Sequence, residues 1–261
     1  MKFLLIGNGF ISPTHKKAIE QIKGEIVDCF GIEKGESYWQ QAIEKTNADC
    51  VVILTPNDLH FSMVKKALEN KKIVLCEKPL VINSKDMELI KNKNVFTVLQ
   101  LRHHPLTKEL KKEISKDKKY EIQMDISVHR DPEYYQCWKG QKQRSGGVVF
   151  NLGIHYFDLL LYLFGGALEV KTDCIDDKTA KGIIKGKNYT CSWRVNTDET
   201  REKQRRVFKI NGLDYNFSSK DNLAFENLHV FVYQDLLEKK GVLPEECLKS
   251  IKLIEKIYEK V

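Results

Sequence analysis

Four short segments of this 261-residue chain carry residue types whose spacing could do chemistry. Gly7-Asn8-Gly9-Phe10-Ile11-Ser12 follows an apolar run and opens a helix-like stretch. Glycines at such a place permit a tight turn and let backbone N–H groups approach a pyrophosphate at a helix N-terminus. Ser12 stands where that fingerprint has its third small residue. Thr55-Pro56-Asn57-Asp58-Leu59-His60 and Cys76-Glu77-Lys78-Pro79-Leu80 each close a further apolar run, at the edge where open α/β sheets bind ligands. Lys78 reads either as a surface lysine at a turn or as a lysine desolvated for proton transfer. The Lys78–Pro79 bond is expected to be cis, since only X–Pro bonds take that form at low cost. The fourth segment runs from Ser145-Gly146-Gly147 to Asp158, where Asn151, His155 and Asp158 share a helix face by i, i+4 and i+3 spacing. A lone histidine is more often a satisfied core side chain, but three polar residues on so apolar a helix suggest a site, with Asp158 orienting His155.

The elements that must position these groups follow from hydrophobic periodicity. Strands are expected at 2–6, 25–30, 50–54, 73–76 and 95–101, with helices at 13–22, 61–69 and 84–91, the last capped by Ser84. Strands alternating with helices imply a parallel sheet. Beyond the Lys-rich stretch 111–119, longer strands at 120–129, 190–195 and 207–211 imply an α+β domain on an antiparallel sheet, with helices at 152–164 and 244–260. The expected fold class is therefore α/β, with a Rossmann-like parallel-sheet domain over 1–117 followed by an α+β domain with an open, largely antiparallel sheet over 118–261.

Composition narrows the function classes. Lys plus Arg is 43 against 36 for Asp plus Glu, a formal charge of +7, and 42% of residues are hydrophobic. That composition is globular, neither collagen-like nor broadly disordered. The basic runs at 111–119 and 201–206 are interspersed with acids and lack aromatic interleaving, so they read as solvated faces and no nucleic-acid partner is expected. No apolar run reaches the ~20 residues of a membrane span, so no membrane partner is expected and the expected location is cytoplasmic. The seven cysteines are scattered without a close pair; they read as small buried hydrophobes in a reducing compartment, and no metal is expected.

Taken in order, Gly7-Asn8-Gly9, Thr55-Pro56-Asn57, Glu77-Lys78-Pro79 and the segment from Gly146-Gly147 to Asp158 resemble the glucose-fructose oxidoreductase/inositol dehydrogenase (Gfo/Idh/MocA) family of NAD(P)-dependent sugar oxidoreductases. Within it, Val98-Leu99-Gln100-Leu101-Arg102-His103-His104-Pro105, Trp138-Lys139-Gly140 and Asn151-Leu152-Gly153-Ile154-His155 resemble the branch that oxidises C3 of UDP-N-acetylglucosamine-type sugars. The likeness runs on to Asn227-Leu228-His229 and the last helix. It implies cofactor contacts at Gly7, Gly9, Phe10, Ile11, Thr55, Pro56, Asn57, His60, Glu77 and Lys78. It implies substrate contacts at Lys78, Arg102, Trp138, Lys139, Asn151 and His155, and a homo-oligomer. The segment 31–47 departs from the family, being too short for the usual helix plus strand-end loop. Gly31 stands where an acid that binds ribose hydroxyls is expected; Asp28 and Glu33 flank it, and either could serve or lie on the surface.

The activity so implied is NAD-dependent oxidation of a UDP-N-acetylglucosamine-type sugar at C3, in surface-polysaccharide or glycan precursor synthesis. The uronate UDP-N-acetylglucosaminuronate is expected ahead of UDP-N-acetylglucosamine. Lys78 and His155 are the catalytic candidates, with Lys78 favoured as the group that meets the reacting oxygen and His155 as proton relay or alternative base. Asn151 would hydrogen-bond the sugar. Arg102 is the first candidate for a cation that meets the uronate carboxylate, with Lys139, Lys142 and Arg144 available for a carboxylate or diphosphate. Tyr134, Tyr135 and Trp138 could line the sugar or base, or simply pack. NAD is expected ahead of NADP, because Asp28 and Glu33 would repel a 2′-phosphate that only Lys34 could attract. A protein that kept the fold for nucleotide binding without turnover is the reading of another class; cofactor titration with a turnover assay separates the two.

Overall fold

The computed structural model describes residues 1–217 and 228–259; Asn227 and Lys260 lie outside them. The described residues fall into two compact units, one of 1–100 with 228–248 and one of 101–217 with 249–259.

In the first unit, β1 (Lys2–Ile6), β2 (Glu25–Phe30), β3 (Cys50–Ile53), β4 (Ile73–Cys76) and β5 (Val95–Thr97) form a parallel sheet ordered β2-β1-β3-β4-β5. Every residue of β3 is buried, which is why it reads as a continuous apolar run rather than an alternating one. Helices α1 (Ser12–Gln21), α2 (Tyr38–Lys45), α3 (His60–Glu69) and α4 (Ser84–Ile90) make the connections. The strand order reverses between β1 and β3, which puts a crevice beyond their carboxyl ends, at Gly7 and Thr55.

Three local expectations are corrected. Residues 31–47 do hold both a strand-end loop and a helix: a 3₁₀ turn at Ile32–Lys34 is followed by α2. That helix docks through fully buried Ile43 and an edge-on contact of Tyr38 with Phe30, 4.8 Å between centroids. The cap of α4 is Asn83, whose side chain accepts from the Lys85 amide at 3.0 Å, not Ser84. The fifth strand ends at Thr97, and Gln100–His103 forms a 3₁₀ turn instead of extending it.

The second unit begins with α5 (Pro105–Glu113), followed by β6 (Tyr120–Ser127), short helices α6 (Pro132–Gln136) and α7 (Lys142–Ser145), and α8 (Ile154–Phe164). Strands β7 (Ala167–Ile175), β8 (Thr179–Gly186), β9 (Tyr189–Asn196), β10 (Arg205–Ile210) and β11 (Leu213–Asp214) complete a six-stranded sheet ordered β11-β10-β6-β9-β8-β7. Only its β6–β9 pair is parallel among the described strands. α8 packs on the sheet, with Phe157 edge-on to Trp193 at 5.3 Å. The stretch Lys142–Phe164 is long and apolar enough to cross a membrane, contrary to the reading of the sequence; 67% of its most apolar window is buried here, as in a core helix.

Contacts divide the chain at 100/101 rather than at 117. Helix α5 packs on α8, and α9 (His229–Leu237) packs on α1, where Val232, Tyr233 and Leu236 join Phe3, Ile19 and Phe96 in one core. The last helix, α10 (Pro244–Glu259), continues from residues of the first unit into residues of the second.

Candidate active site

The strand ends of the first unit are tied into one edge. Gly7 donates to Phe30 O, Leu54 to Ile6 O, Glu77 to Ile53 O and Val98 to Cys76 O, at 2.7–3.0 Å. Gly7 sits at φ +114°, and a Cβ there would stand 2.5 Å from Leu54 O, so both conformation and close approach require glycine. A Cβ on Gly9 would meet nothing within 4 Å, which leaves this side of the turn open, and Phe10 beside it is 85% exposed. Ile11 instead packs against the apolar core. At the end of β2 the Glu33 carboxylate accepts from the Gly31 amide at 2.7 Å. Backbone hydrogen bonds hold its carboxyl below the usual range. Asp28 turns to the Cys29 amide at 2.8 Å. Of the two acids left open by the sequence, Glu33 is the one beside Gly31, where a Cβ would stand 2.7 Å from Glu33 Oε2 and 3.4 Å from the Asn8 amide nitrogen. An open turn, a helix N-terminus and an acid at the end of β2 fit a dinucleotide: Gly7 and Gly9 would admit the pyrophosphate, and Glu33 the ribose hydroxyls.

Two expected cofactor contacts have internal partners instead. His60 is fully buried, with Nδ1 2.7 Å from Pro79 O and Nε2 3.0 Å from Thr55 O, so its ring braces the two strand-end loops against each other. Glu77 faces His15 Nε2 at 3.0 Å and His229 Nε2 at 3.7 Å. Burial alone would raise the Glu77 carboxyl, but the hydrogen bond from His15, with His229 beside the same oxygen, holds it well below the carboxylate range. Thr55 Oγ1 lies 3.5 Å from Met63 Sδ, and Asn57 is buried. Lys78 is half-buried and its bond to Pro79 is cis.

The second unit brings some of its expected site residues together and separates others. Val149–Gly153 forms a π-turn ahead of α8, a feature frequent at functional sites, and it shifts Asn151 out of simple helical phase with His155 and Asp158. Asn151 Nδ2 donates to Tyr134 Oη at 2.5 Å. Burial raises the Tyr134 phenol, which stays protonated. His155 is half-buried one turn further on. Asp158 does not serve it as expected. Its carboxylate accepts from Arg102 Nε and Nη2, both at 2.8 Å, and from Ser250 Oγ at 3.3 Å. Arg102 is thereby committed to a buried internal partner, and its guanidinium also lies 4.9 Å from the Tyr162 ring centre. The cation expected to meet a substrate carboxylate thus has an internal carboxylate partner.

A cavity of about 220 Å³ opens in this unit, with Tyr134, Lys139, Lys142, Gly147, Asp177 and Tyr258 among its lining. Gly147, at φ +87°, lets the Tyr258 hydroxyl approach the backbone, and that hydroxyl accepts from the Val149 amide at 3.4 Å. Burial pushes the Tyr258 phenol up to about 12, and the Lys142 ammonium sits 4.7 Å over its ring. The Lys139 ammonium lies 6.0 Å from the ring of half-buried Trp138. Tyr134 thus joins the cavity to Asn151.

His15, His229 and Tyr233 have no role in the sequence reading. The available signals were a histidine on the Ala18–Ile19 face of the first helix, and His229 within the last segment of the resemblance.

A five-stranded parallel sheet with a glycine turn at its switch point, followed by a mixed six-stranded sheet, has the architecture of a dinucleotide-binding fold. The oxidoreductase family with an NAD-binding Rossmann fold (GFO_IDH_MocA) matches residues 9–94, and its C-terminal alpha/beta domain (GFO_IDH_MocA_C) matches 114–199. The chain belongs to this family. Among curated relatives, it is 27% identical to levoglucosan dehydrogenase of Pseudarthrobacter phenanthrenivorans over 62% of this chain and 50% of that protein. It is 25% identical to myo-inositol 2-dehydrogenase of Thermotoga maritima over 65% of this chain and 56% of that protein. The chain thus spans about half the length of the curated relatives it matches. Among solved structures, it is similar to the WlbA (WbpB) dehydrogenase of Thermus thermophilus in complex with NAD and α-ketoglutarate, with 28% identity and a TM-score of 0.84 over 96% of this chain and 92% of that one. The same dehydrogenase in complex with NAD and UDP-GlcNAcA gives 27% identity and a TM-score of 0.84 over 100% and 95%.

Proposed function

We propose that this chain is an NAD-dependent dehydrogenase acting at C3 of a UDP-N-acetylglucosamine-type sugar, UDP-N-acetylglucosaminuronate first and UDP-N-acetylglucosamine second. The carrying observation is the cavity of the second unit. It offers two ammonium groups, Lys139 and Lys142, beside the carboxylates of Asp176 and Asp177, and is linked through Tyr134 to Asn151. Charge-assisted bonds from paired lysines suit a diphosphate, and a free polyol has no use for them. The likeness to the Thermus dehydrogenase, whose complex holds UDP-GlcNAcA, supports the same substrate class.

In this reading residues 1–117 bind the dinucleotide and 118–261 the sugar nucleotide. Bound NAD supplies the hydride acceptor. Glu33 holds the adenosine ribose and, being negative, disfavours a 2′-phosphate. Lys78 takes the proton of the sugar hydroxyl and His155 relays it, or the two exchange roles. Asn151, its side chain directed by the Tyr134 hydroxyl, hydrogen-bonds the sugar. With Arg102 committed to Asp158, the uronate carboxylate falls to Lys139 or Arg144. The open face of the six-stranded sheet serves a homo-oligomer, and the compartment is the cytoplasm.

A second reading, oxidation of a free polyol or anhydrosugar, draws on the relationship to levoglucosan and inositol dehydrogenases. Calorimetric titration with UDP alone separates the two. Saturable binding that Lys142→Met weakens by about tenfold, the loss of one charge-assisted contact, supports the nucleotide sugar. No binding of UDP to the intact chain favours the free sugar.

A further inference from the structure

The Glu77 cluster is built from three parts of the chain: α1 brings His15, the loop after β4 brings Glu77, and α9 brings His229 and Tyr233. All belong to the first unit. His15 and Tyr233 are fully buried, and His229 nearly so. The Tyr233 hydroxyl lies 2.8 Å from His15 Nδ1, and His15 Nε2 lies 3.0 Å from Glu77 Oε1. A carboxylate only accepts, so a neutral His15 carries its hydrogen on Nε2, and Nδ1 accepts from the tyrosine. The line therefore runs in one direction, from Tyr233 through His15 to Glu77. His229 Nε2 stands 3.7 Å from the same carboxylate oxygen, an electrostatic contact longer than a hydrogen bond. The other oxygen, Oε2, accepts from the main-chain N–H of Lys78 at 3.3 Å.

We propose that His15, His229 and Tyr233 are positioning residues that hold the Glu77 carboxylate in one orientation, so that Glu77 in turn fixes the main chain of Lys78. The inference rests on the reading of Lys78 as a proton-handling group for its catalytic consequence, but its structural content stands apart from that reading. A buried carboxylate with one fewer donor loses both its orientation and its hold on the next amide. The returning helix α9 is then a working part of the strand-end loop, although it lies more than a hundred residues away in sequence.

The three ligating atoms of His15, Glu77 and His229 also lie within 4.8 Å of one another, the arrangement a divalent metal would use. Hydrogen bonding accounts for the cluster better. The His15–Glu77 separation of 3.0 Å is an ordinary hydrogen bond, and both nitrogens of His15 already have partners.

The test uses the full chain and the variants His229→Leu, His229→Gln and Tyr233→Phe, with amide hydrogen exchange at Lys78, turnover, and metal content of the purified protein as readouts. Exchange at Lys78 is expected to quicken about tenfold or more in His229→Leu and to return to within about threefold of wild type in His229→Gln, whose amide keeps a polar N–H beside the carboxylate. Tyr233→Phe keeps the ring that packs edge-on against Phe3 and is expected to give an intermediate change, which covers the case in which His229→Leu does not fold. If turnover is present, kcat should follow the exchange rates while the KM for NAD stays within about twofold. Unchanged exchange in folded His229→Leu and Tyr233→Phe overturns the inference, as does one equivalent of metal in the wild-type chain. Quickened exchange in a protein that turns over no sugar leaves the inference standing and removes the proposed function instead.

Discussion

Lys78 and His155 divide the proposed proton transfer, and substitution distinguishes them. Lys78→Met is expected to lower turnover by roughly 10²–10⁴-fold, the range for a general base, while the dissociation constant for NAD, measured by fluorescence titration, changes little. Retained turnover would move the role to His155. Arg102 makes the opposite kind of prediction. Its guanidinium is fork-bonded to Asp158, and the two side chains are 10% and 4% exposed. Arg102→Met is therefore expected to cost about 3–5 kcal/mol in urea unfolding, because it strands a buried carboxylate, and to affect charged and neutral sugars alike. Unchanged stability with a loss confined to the uronate would restore Arg102 as the substrate's cation. At this scale the sequence showed residue types but not partners. Arg102, Asp158 and His60 carry the right chemistry for a site, yet each is occupied internally by a group distant in sequence or hidden in a backbone carbonyl. Pairings of that kind leave no mark on local spacing.

The elements around Glu77 and Glu33 set the expected pH and cofactor behaviour. Glu77 is held well below its ordinary 4.5 by its imidazole neighbours against the upward push of burial. A carboxyl depressed in the folded state contributes stability that is present above 4.5 and lost as pH falls below it toward the folded value. Thermal midpoints across that acid range should fall more steeply for wild type than for Glu77→Gln; parallel curves would mean the pairing does not stabilise the fold. Glu33, on the 3₁₀ turn after β2, is expected to make NAD bind more tightly than NADP, and Glu33→Ala to narrow that difference in paired titrations. Equal affinities for wild type would remove Glu33 from the ribose. The βα rhythm through α4 was legible because short apolar runs and amphipathic helices carry distinct periods. Four elements were not. Helix α2 has a single buried residue, Ile43, to announce it. The π-turn before α8 has the same composition as the helix it interrupts. Strands β7 and β8 carry too many lysines and acids on their exposed positions to stand out.

For the whole molecule, both halves of the family are present, and the proposed nucleotide-sugar substrate rests on the cavity lined by Lys139 and Lys142. The return of 228–248 to the first unit explains why a boundary at 117 fails to separate the contacts: a chain read in order cannot show which late helix closes an early core. The activity proposed for this chain is oxidation of a UDP-N-acetylglucosamine-type sugar. It is tested most directly by incubating the purified protein and NAD, with and without α-ketoglutarate as a hydride sink, with UDP-N-acetylglucosaminuronate, UDP-N-acetylglucosamine, myo-inositol and levoglucosan, and reading each sugar by mass spectrometry. Mass readout detects product even where a retained cofactor hides the release of NADH. The account predicts loss of two hydrogens from the nucleotide sugars, fastest for the uronate and localised to C3, with little change in the free polyols. Oxidation of inositol or levoglucosan with both UDP-sugars left intact, or no oxidation of any of the four by a protein that binds NAD, would contradict it.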